Sequence, residues 1–313
     1  MSVLSATSPR PGRQPYGPEG RSPWLDIDWR EHQRWVVVDR APINTIELGA
    51  GPPLVFVHGL LGSWQNWLEQ LPVFAAQHRV ITLDLPGFGH SPMPPERISI
   101  SYYARLLDGL FDQLEIDAAA LVGNSMGGFV STDLAITFPE RVERIALISP
   151  AGVSTYAHPA GVRAEPILRR ASRVLTPGFD WVLANPELMG RRRRLRKTLL
   201  GGLVTHPGLL GAALATEQIR GGAQSPGFFD GLLANLNYDT RERLAEIACP
   251  ALIVWGEQDR VITARDAEIF EQSIPGSRKV VLEDTGHLAM LERPMAVNQL
   301  LEEFLSEETS SVE

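Results

Sequence analysis

The run Ala119 to Gly123 is continuously apolar and passes straight into helix-forming residues beginning at Met126, with Ser125 at the join between Asn124 and Met126-Gly127-Gly128. A chain that turns from strand to helix without a spacer holds the residue at the corner in a strained backbone. It needs small neighbours so that nothing collides, and it thrusts that side chain out at the carboxyl end of a sheet beside a helix N-terminus. This corner therefore predicts an α/β architecture with a reactive position at its apex.

The surrounding pattern agrees. Trp35 to Val38 and Ile43 to Leu48 read as an antiparallel edge. Strands are then expected at Pro53 to His58, Arg79 to Asp84, Ala119 to Gly123 and Arg144 to Ser149, with helices at Trp64 to Ala75, Ser101 to Leu114 and Met126 to Phe138. Strands that are apolar throughout, alternating with helices, imply a mostly parallel central sheet flanked by helices on both faces. The rhythm stops near Pro150 and resumes with a strand at Pro250 to Trp255, a helix at Ala264 to Ser273, a strand at Ser277 to Leu282 and a helix at Pro294 to Leu305. The expected organisation is a core of residues 23–150 and 241–305 with an inserted helical cap at 151–240. In the cap, Ala164 to Leu175 and Pro186 to Leu200 are the clearest helices. Residues 1–22 and 306–313 are expected to be flexible tails, because Pro-, Gly- and polar-rich segments bury too little to offset their ordering entropy.

Composition limits the function classes. A net charge of −8 excludes a general nucleic-acid binder, which needs surplus cations. No apolar run approaches the roughly 20 residues of a membrane span, and the first 22 residues have no secretory-type apolar core. The single Cys249 cannot form an internal disulfide, which fits a cytoplasmic location. No dinucleotide-type glycine loop or paired metal-ligand spacing occurs, so neither cofactor nor metal is expected.

A serine hydroxyl needs a base, and the base needs an acid to orient it. His287 follows a predicted strand and precedes the last helix in Asp284-Thr285-Gly286-His287-Leu288, and Asp259 follows the strand ending at Trp255. The order Ser125, Asp259, His287 is that of a strand-loop hydrolase triad. Glu257 and Asp284 compete for the acid role, with Asp284 better placed to cap its own turn. An oxyanion hole is expected from the backbone N–H groups of Met126 and of Leu60 in His58-Gly59-Leu60-Leu61-Gly62, with His58 shaping that loop. Trp64, Asn124, Leu288 and cap residues are the candidates for the substrate pocket.

These motifs resemble those of the α/β-hydrolase fold superfamily over residues 34–149 and 240–305. The resemblance rests on His58-Gly59, Asp84-Leu85-Pro86-Gly87-Phe88-Gly89-His90-Ser91, Gly123 to Gly128, Trp255 to Asp259, and Asp284 to His287 with Glu292-Arg293-Pro294. It implies a structural role for Asp84 and its glycine turn. Members that attack with aspartate, the haloalkane dehalogenases and epoxide hydrolases, differ from Ser125 at the elbow. Gly123 to Gly128 with Ile148-Ser149-Pro150-Ala151-Gly152 is similar to monoacylglycerol lipases and carboxylesterases, and also to C–C bond hydrolases of ring-fission dienoates. The latter share a Trp-Gly-x-x-Asp-Arg stretch, here Trp255 to Arg260, but usually carry a glycine-richer oxyanion loop. The resemblance implies a serine esterase acting on a small, largely apolar ester through an acyl-enzyme. The alternatives are C–C hydrolysis, a peracid-forming haloperoxidase-like activity on the same triad, and a catalytically silent binding protein of this fold.

One feature lies outside that chemistry. Residues 151–240 hold 11 Lys and Arg against 6 Asp and Glu, a net of +5 in a chain that is −13 elsewhere. The excess is concentrated in Arg191-Arg192-Arg193-Arg194-Leu195-Arg196-Lys197. The run is read as a solvated helix face, an anchor for an anionic substrate, or a peripheral contact with acidic lipid headgroups.

Overall fold

The strand β3 (Pro53–Val57) shows why its neighbours are apolar throughout. Leu54 and Phe56 belong to one hydrophobic cluster, Val55 and Val57 to another. Successive side chains leave a strand on opposite faces, so a strand covered on both sides must be apolar at every position. The same split occurs in β5 (Ala119–Asn124) and β7 (Ala251–Gly256), where Val122 and Val254 point one way, Leu121 and Trp255 the other.

The computed structural model describes residues 15–155 and 184–307. It contains an eight-stranded sheet in the order β1-β2-β4-β3-β5-β6-β7-β8, completed by β1 (Gln33–Val38), β2 (Ala41–Leu48), β4 (Arg79–Leu83), β6 (Val142–Ile148) and β8 (Arg278–Leu282). β1 and β2 pair antiparallel, and β2 runs antiparallel to β4. All other pairings are parallel. Helices α1 (Leu71–Phe74), α2 (Ile100–Gln113), α3 (Met126–Thr137), α4 (Pro186–Arg191), α5 (Arg193–Leu200), α6 (Ala212–Ala223), α7 (Phe228–Leu236), α8 (Asp266–Ser273), α9 (Ala289–Glu292) and α10 (Pro294–Ser306) complete the described elements, with short 3-10 turns between them. The α/β fold expected from the sequence is therefore present, and the described elements between β6 and β7 are all helices or 3-10 turns.

Four local expectations are corrected. The helix anticipated at Trp64 to Ala75 is a 3-10 turn, Trp64–Trp67, followed by the single turn of α1. Pro72 lacks the N–H that would continue a helix from the preceding turn and is confined to the start of a new one. The helix anticipated at Pro186 to Leu200 breaks at Arg192, whose backbone is extended (φ −93°, ψ 109°) and whose carbonyl accepts from the N–H groups of Leu195 and Arg196. The segment Tyr16–Ser22 is not a free tail. Gly17 N–H donates to the Glu292 carbonyl at 2.8 Å, and the buried Ser22 hydroxyl donates to Glu69 at 2.8 Å. Ser306 and Glu307, also assigned to a tail, end α10, and Glu307 meets Arg278 at 3.0 Å. The helix expected at Ala164 to Leu175 lies outside the described residues.

Candidate active site

Ser125 stands at the end of β5 with φ 54° and ψ −120°, a conformation that L-residues seldom adopt. The turn is fixed from both sides. Ser125 N–H donates to the Ile148 carbonyl at 3.1 Å, and its carbonyl accepts from Ala151 at 3.0 Å and from Phe129 at 3.1 Å. A side chain at Gly127 would lie 2.1 Å from the Val57 carbonyl, so only glycine lets α3 approach the sheet this closely. The corner expected from the sequence is thus a strained elbow held by its neighbours.

His287 and Asp259 are brought together as expected. The His287 Nδ1–H donates to Asp259 Oδ2 at 2.7 Å, with both side chains almost wholly buried. The other carboxylate oxygen, Oδ1, accepts from the N–H groups of Val261 (2.8 Å) and Ile262 (3.0 Å). Three donors thus fix the orientation of the carboxylate. The competing acids are placed elsewhere. Asp284 pairs with His206 at 2.8 Å and Arg293 at 3.1 Å, and Glu257 is exposed.

The oxyanion candidates lie next to Ser125. Met126 opens α3, so its N–H has no acceptor within the helix. The loop bearing Leu60 passes against the elbow, since a methyl group added at Gly59 would meet the Ser125 Cβ at 2.8 Å. His58 shapes that loop as anticipated. Its Nε2 accepts from Leu85 N–H at 3.0 Å, so Nδ1 carries the proton that bonds the Gly59 carbonyl at 2.8 Å. Burial holds its pKa below the usual histidine value, consistent with this neutral tautomer. Asp84 is fully buried and accepts from Asn44 Nδ2 (2.8 Å), Trp64 N–H (2.8 Å) and His90 N–H (2.9 Å), a structural hub at the root of the same loops.

Ser125, His287 and Leu60 open into one cavity of about 590 Å³. Asn124 and Leu288 line it as expected, and Asn124 Nδ2 also donates to the Ile148 carbonyl at 2.9 Å. Trp64 does not line it. Asp84 anchors its backbone, and its ring packs on Trp29 at 5.1 Å, away from the cavity. Asn66, two residues on in the same 3-10 turn, lines the cavity instead. Of the inserted leucines and phenylalanines, Leu203, Phe228 and Leu232 form part of the lining, whereas Leu200, Leu210 and Leu233 are buried and Leu209 is exposed. Asn235 and Val261 were not anticipated. Phe228, Leu232 and Asn235 recur at helical spacing on α7, a pattern that marks one face without saying what it faces. Among the described lining residues none is Lys, Arg, Asp or Glu.

A profile of the alpha/beta hydrolase fold matches residues 52–294. The chain is 34% identical over 266 residues to the dihydrolipoyllysine-residue acetyltransferase component of the acetoin cleaving system of Pseudomonas putida, covering 84% of this chain and 66% of that one, so it spans just under two thirds of that relative. It is 31% identical over 284 residues to a 2-hydroxy-6-oxo-2,4-heptadienoate hydrolase of Pseudomonas putida, covering 88% and 96% of the two chains. Among solved structures, a bacterial membrane phospholipase A superposes with a TM-score of 0.69 at 27% identity, over 87% of this chain and 85% of that one. With the elbow and the sheet order, these matches lead to one conclusion: the chain belongs to the α/β-hydrolase fold family.

Proposed function

We propose that the protein is a serine hydrolase that cleaves a carboxylic ester, or a related acyl bond, of a small uncharged and largely apolar substrate. The observation that carries this reading is the meeting of Ser125 and the Asp259-bound His287 in one cavity whose described lining bears no charged side chain. With Nδ1–H committed to Asp259, His287 Nε2 is free to accept the Ser125 proton. Ser125 Oγ then attacks the carbonyl carbon, and the N–H groups of Met126 and Leu60 hold the oxyanion. His287 returns the proton to the departing alcohol as the carbon–oxygen bond breaks. A water, deprotonated by His287, releases the acid from the acyl-enzyme.

The apolar lining favours a neutral substrate, because a carboxylate there lacks a described cation to offset its desolvation. A second reading is C–C bond hydrolysis of a ring-fission dienoate, favoured by the 31% identity to the heptadienoate hydrolase. The same triad serves both reactions, and the acetyltransferase relative suggests that an acyl group could pass to an acceptor other than water.

A fluorophosphonate probe should label wild type and not Ser125→Ala. Ser125→Ala should retain its fold and lose turnover of p-nitrophenyl butyrate; activity close to wild type would remove the nucleophile assignment. A series of p-nitrophenyl esters assayed beside a ring-fission dienoate separates the two readings, with higher kcat/KM on the esters expected.

A further inference from the structure

The basic run of the inserted segment has no part in the chemistry above, yet its side chains are sorted. Arg196 turns inward and donates to the carbonyls of Gly190 (2.8 Å) and Gly208 (3.3 Å). Arg191, Arg192, Arg193, Arg194 and Lys197 are exposed. On α5, Arg193, Arg194 and Lys197 lie three and four residues apart and share one face, while Leu200 faces the core. Among the described residues, Arg192, Arg194 and Lys197 have no ion-pair partner, and Glu187 is the single acid that meets the run, pairing Arg191 at 3.4 Å.

Two exposed leucines border these cations. Leu188 lies three residues before Arg191 on α4 and is 37% exposed. Leu209 is 52% exposed and follows Gly208, whose carbonyl accepts from Arg193 Nε at 3.1 Å. Cations interleaved with projecting leucines match the interface of a bilayer, where the ammonium and guanidinium groups meet headgroup phosphates and the leucines enter the acyl boundary. The charge asymmetry orients the molecule, since an anionic surface attracts this segment and repels the remainder of the chain, which carries −13. α5 leads directly to Leu203, which lines the candidate active-site cavity.

We propose that the exposed face formed by Arg191 to Arg194, Lys197, Leu188 and Leu209 docks the protein on an anionic lipid bilayer. The proposal is independent of which bond Ser125 attacks.

The test is co-sedimentation of the full chain with phosphatidylcholine vesicles, with and without one quarter phosphatidylglycerol, at low and high salt. Wild type should bind the anionic vesicles at low salt, release at high salt and leave neutral vesicles unbound. Arg194→Glu with Lys197→Glu should weaken anionic-vesicle binding by roughly tenfold or more, with an unchanged thermal melt. A separate pair, Leu188→Ser with Leu209→Ser, should also weaken it. Equal binding to both vesicle types overturns the proposal, as does retention of anionic binding by the charge-reversed variant. So does binding of wild type to duplex DNA in the absence of vesicle binding.

Discussion

Glu292 shows how one side chain outside the cavity sets the geometry inside it. It is fully buried, and its carboxylate accepts from Gly286 N–H (2.8 Å), Thr205 N–H (2.8 Å) and the Tyr16 hydroxyl (2.9 Å). Gly286 directly precedes His287, so Glu292 holds the loop of the candidate base. Burial pushes its carboxyl up to about 7, against these donors and Arg293, which favour the anion. The folded protein therefore keeps a proton that the unfolded chain has already lost above its ordinary value of 4.5. The stability gained from that proton is whole below 4.5 and is lost as the pH rises through 7, a change of roughly 3 kcal/mol. Glu292→Gln has no such proton, so its melting temperature should gain on wild type between pH 5 and pH 8. A constant difference across that range would contradict the raised value. Asp259→Asn tests the other end of the site. It should lower kcat for p-nitrophenyl butyrate by roughly 10³–10⁴-fold, because the amide cannot hold the Nδ1–H tautomer.

At the scale of elements, the inserted segment is hydrogen-bonded beside both loops of the candidate site. Gln218 on α6 accepts from Asn66 Nδ2 at 2.6 Å and donates to the Gln65 carbonyl at 2.7 Å, fastening the segment that follows the candidate oxyanion loop. The Leu203 carbonyl accepts from His287 N–H at 2.9 Å. Gln218→Leu leaves the buried Asn66 amide unpaired, which costs about 1–3 kcal/mol. If that loss falls on the transition state, kcat should drop about 5- to 150-fold with KM nearly constant; a change confined to KM would assign Gln218 to substrate binding alone. The elbow was legible in the sequence because strand, serine and helix are contiguous there, and the pairing of the candidates Asp259 and His287 was legible because each follows a strand on the same edge. The sequence did not foretell Gln218 or Glu292. Their partners lie 152 and 276 residues away in the chain, and no local period records such a contact. The failure at Trp64 has the same origin, because Asp84, twenty residues on, decides which way that turn faces.

The whole molecule is tied together by a segment that composition alone marks as a tail. Tyr16 donates its hydroxyl to Glu292 and accepts from His206 N–H at 3.2 Å, its ring meets His206 edge-on at 5.5 Å, and the Arg293 guanidinium lies 5.0 Å from the ring centroid. His206 in turn bonds Asp284, so the amino-terminal segment, the inserted segment and the loop of His287 form one connected polar network. Burial and the Glu292 carboxylate hold the Tyr16 hydroxyl protonated far above its ordinary range, which keeps it a donor at any working pH. Tyr16→Phe keeps the ring contacts and removes a hydroxyl that serves two partners, at a cost of about 0.5–1.5 kcal/mol per bond. For a domain of this size that corresponds to a fall in Tm of roughly 2–8 °C. Tyr16→Ala also removes the ring and should fall further. Because Glu292 relays the loss to Gly286, both variants should lower kcat for p-nitrophenyl butyrate at temperatures where each remains fully folded. Circular dichroism melts run beside steady-state kinetics separate the two effects. A Tm that falls while kcat stays at the wild-type value would limit Tyr16 to stability and detach the amino-terminal segment from the positioning of His287.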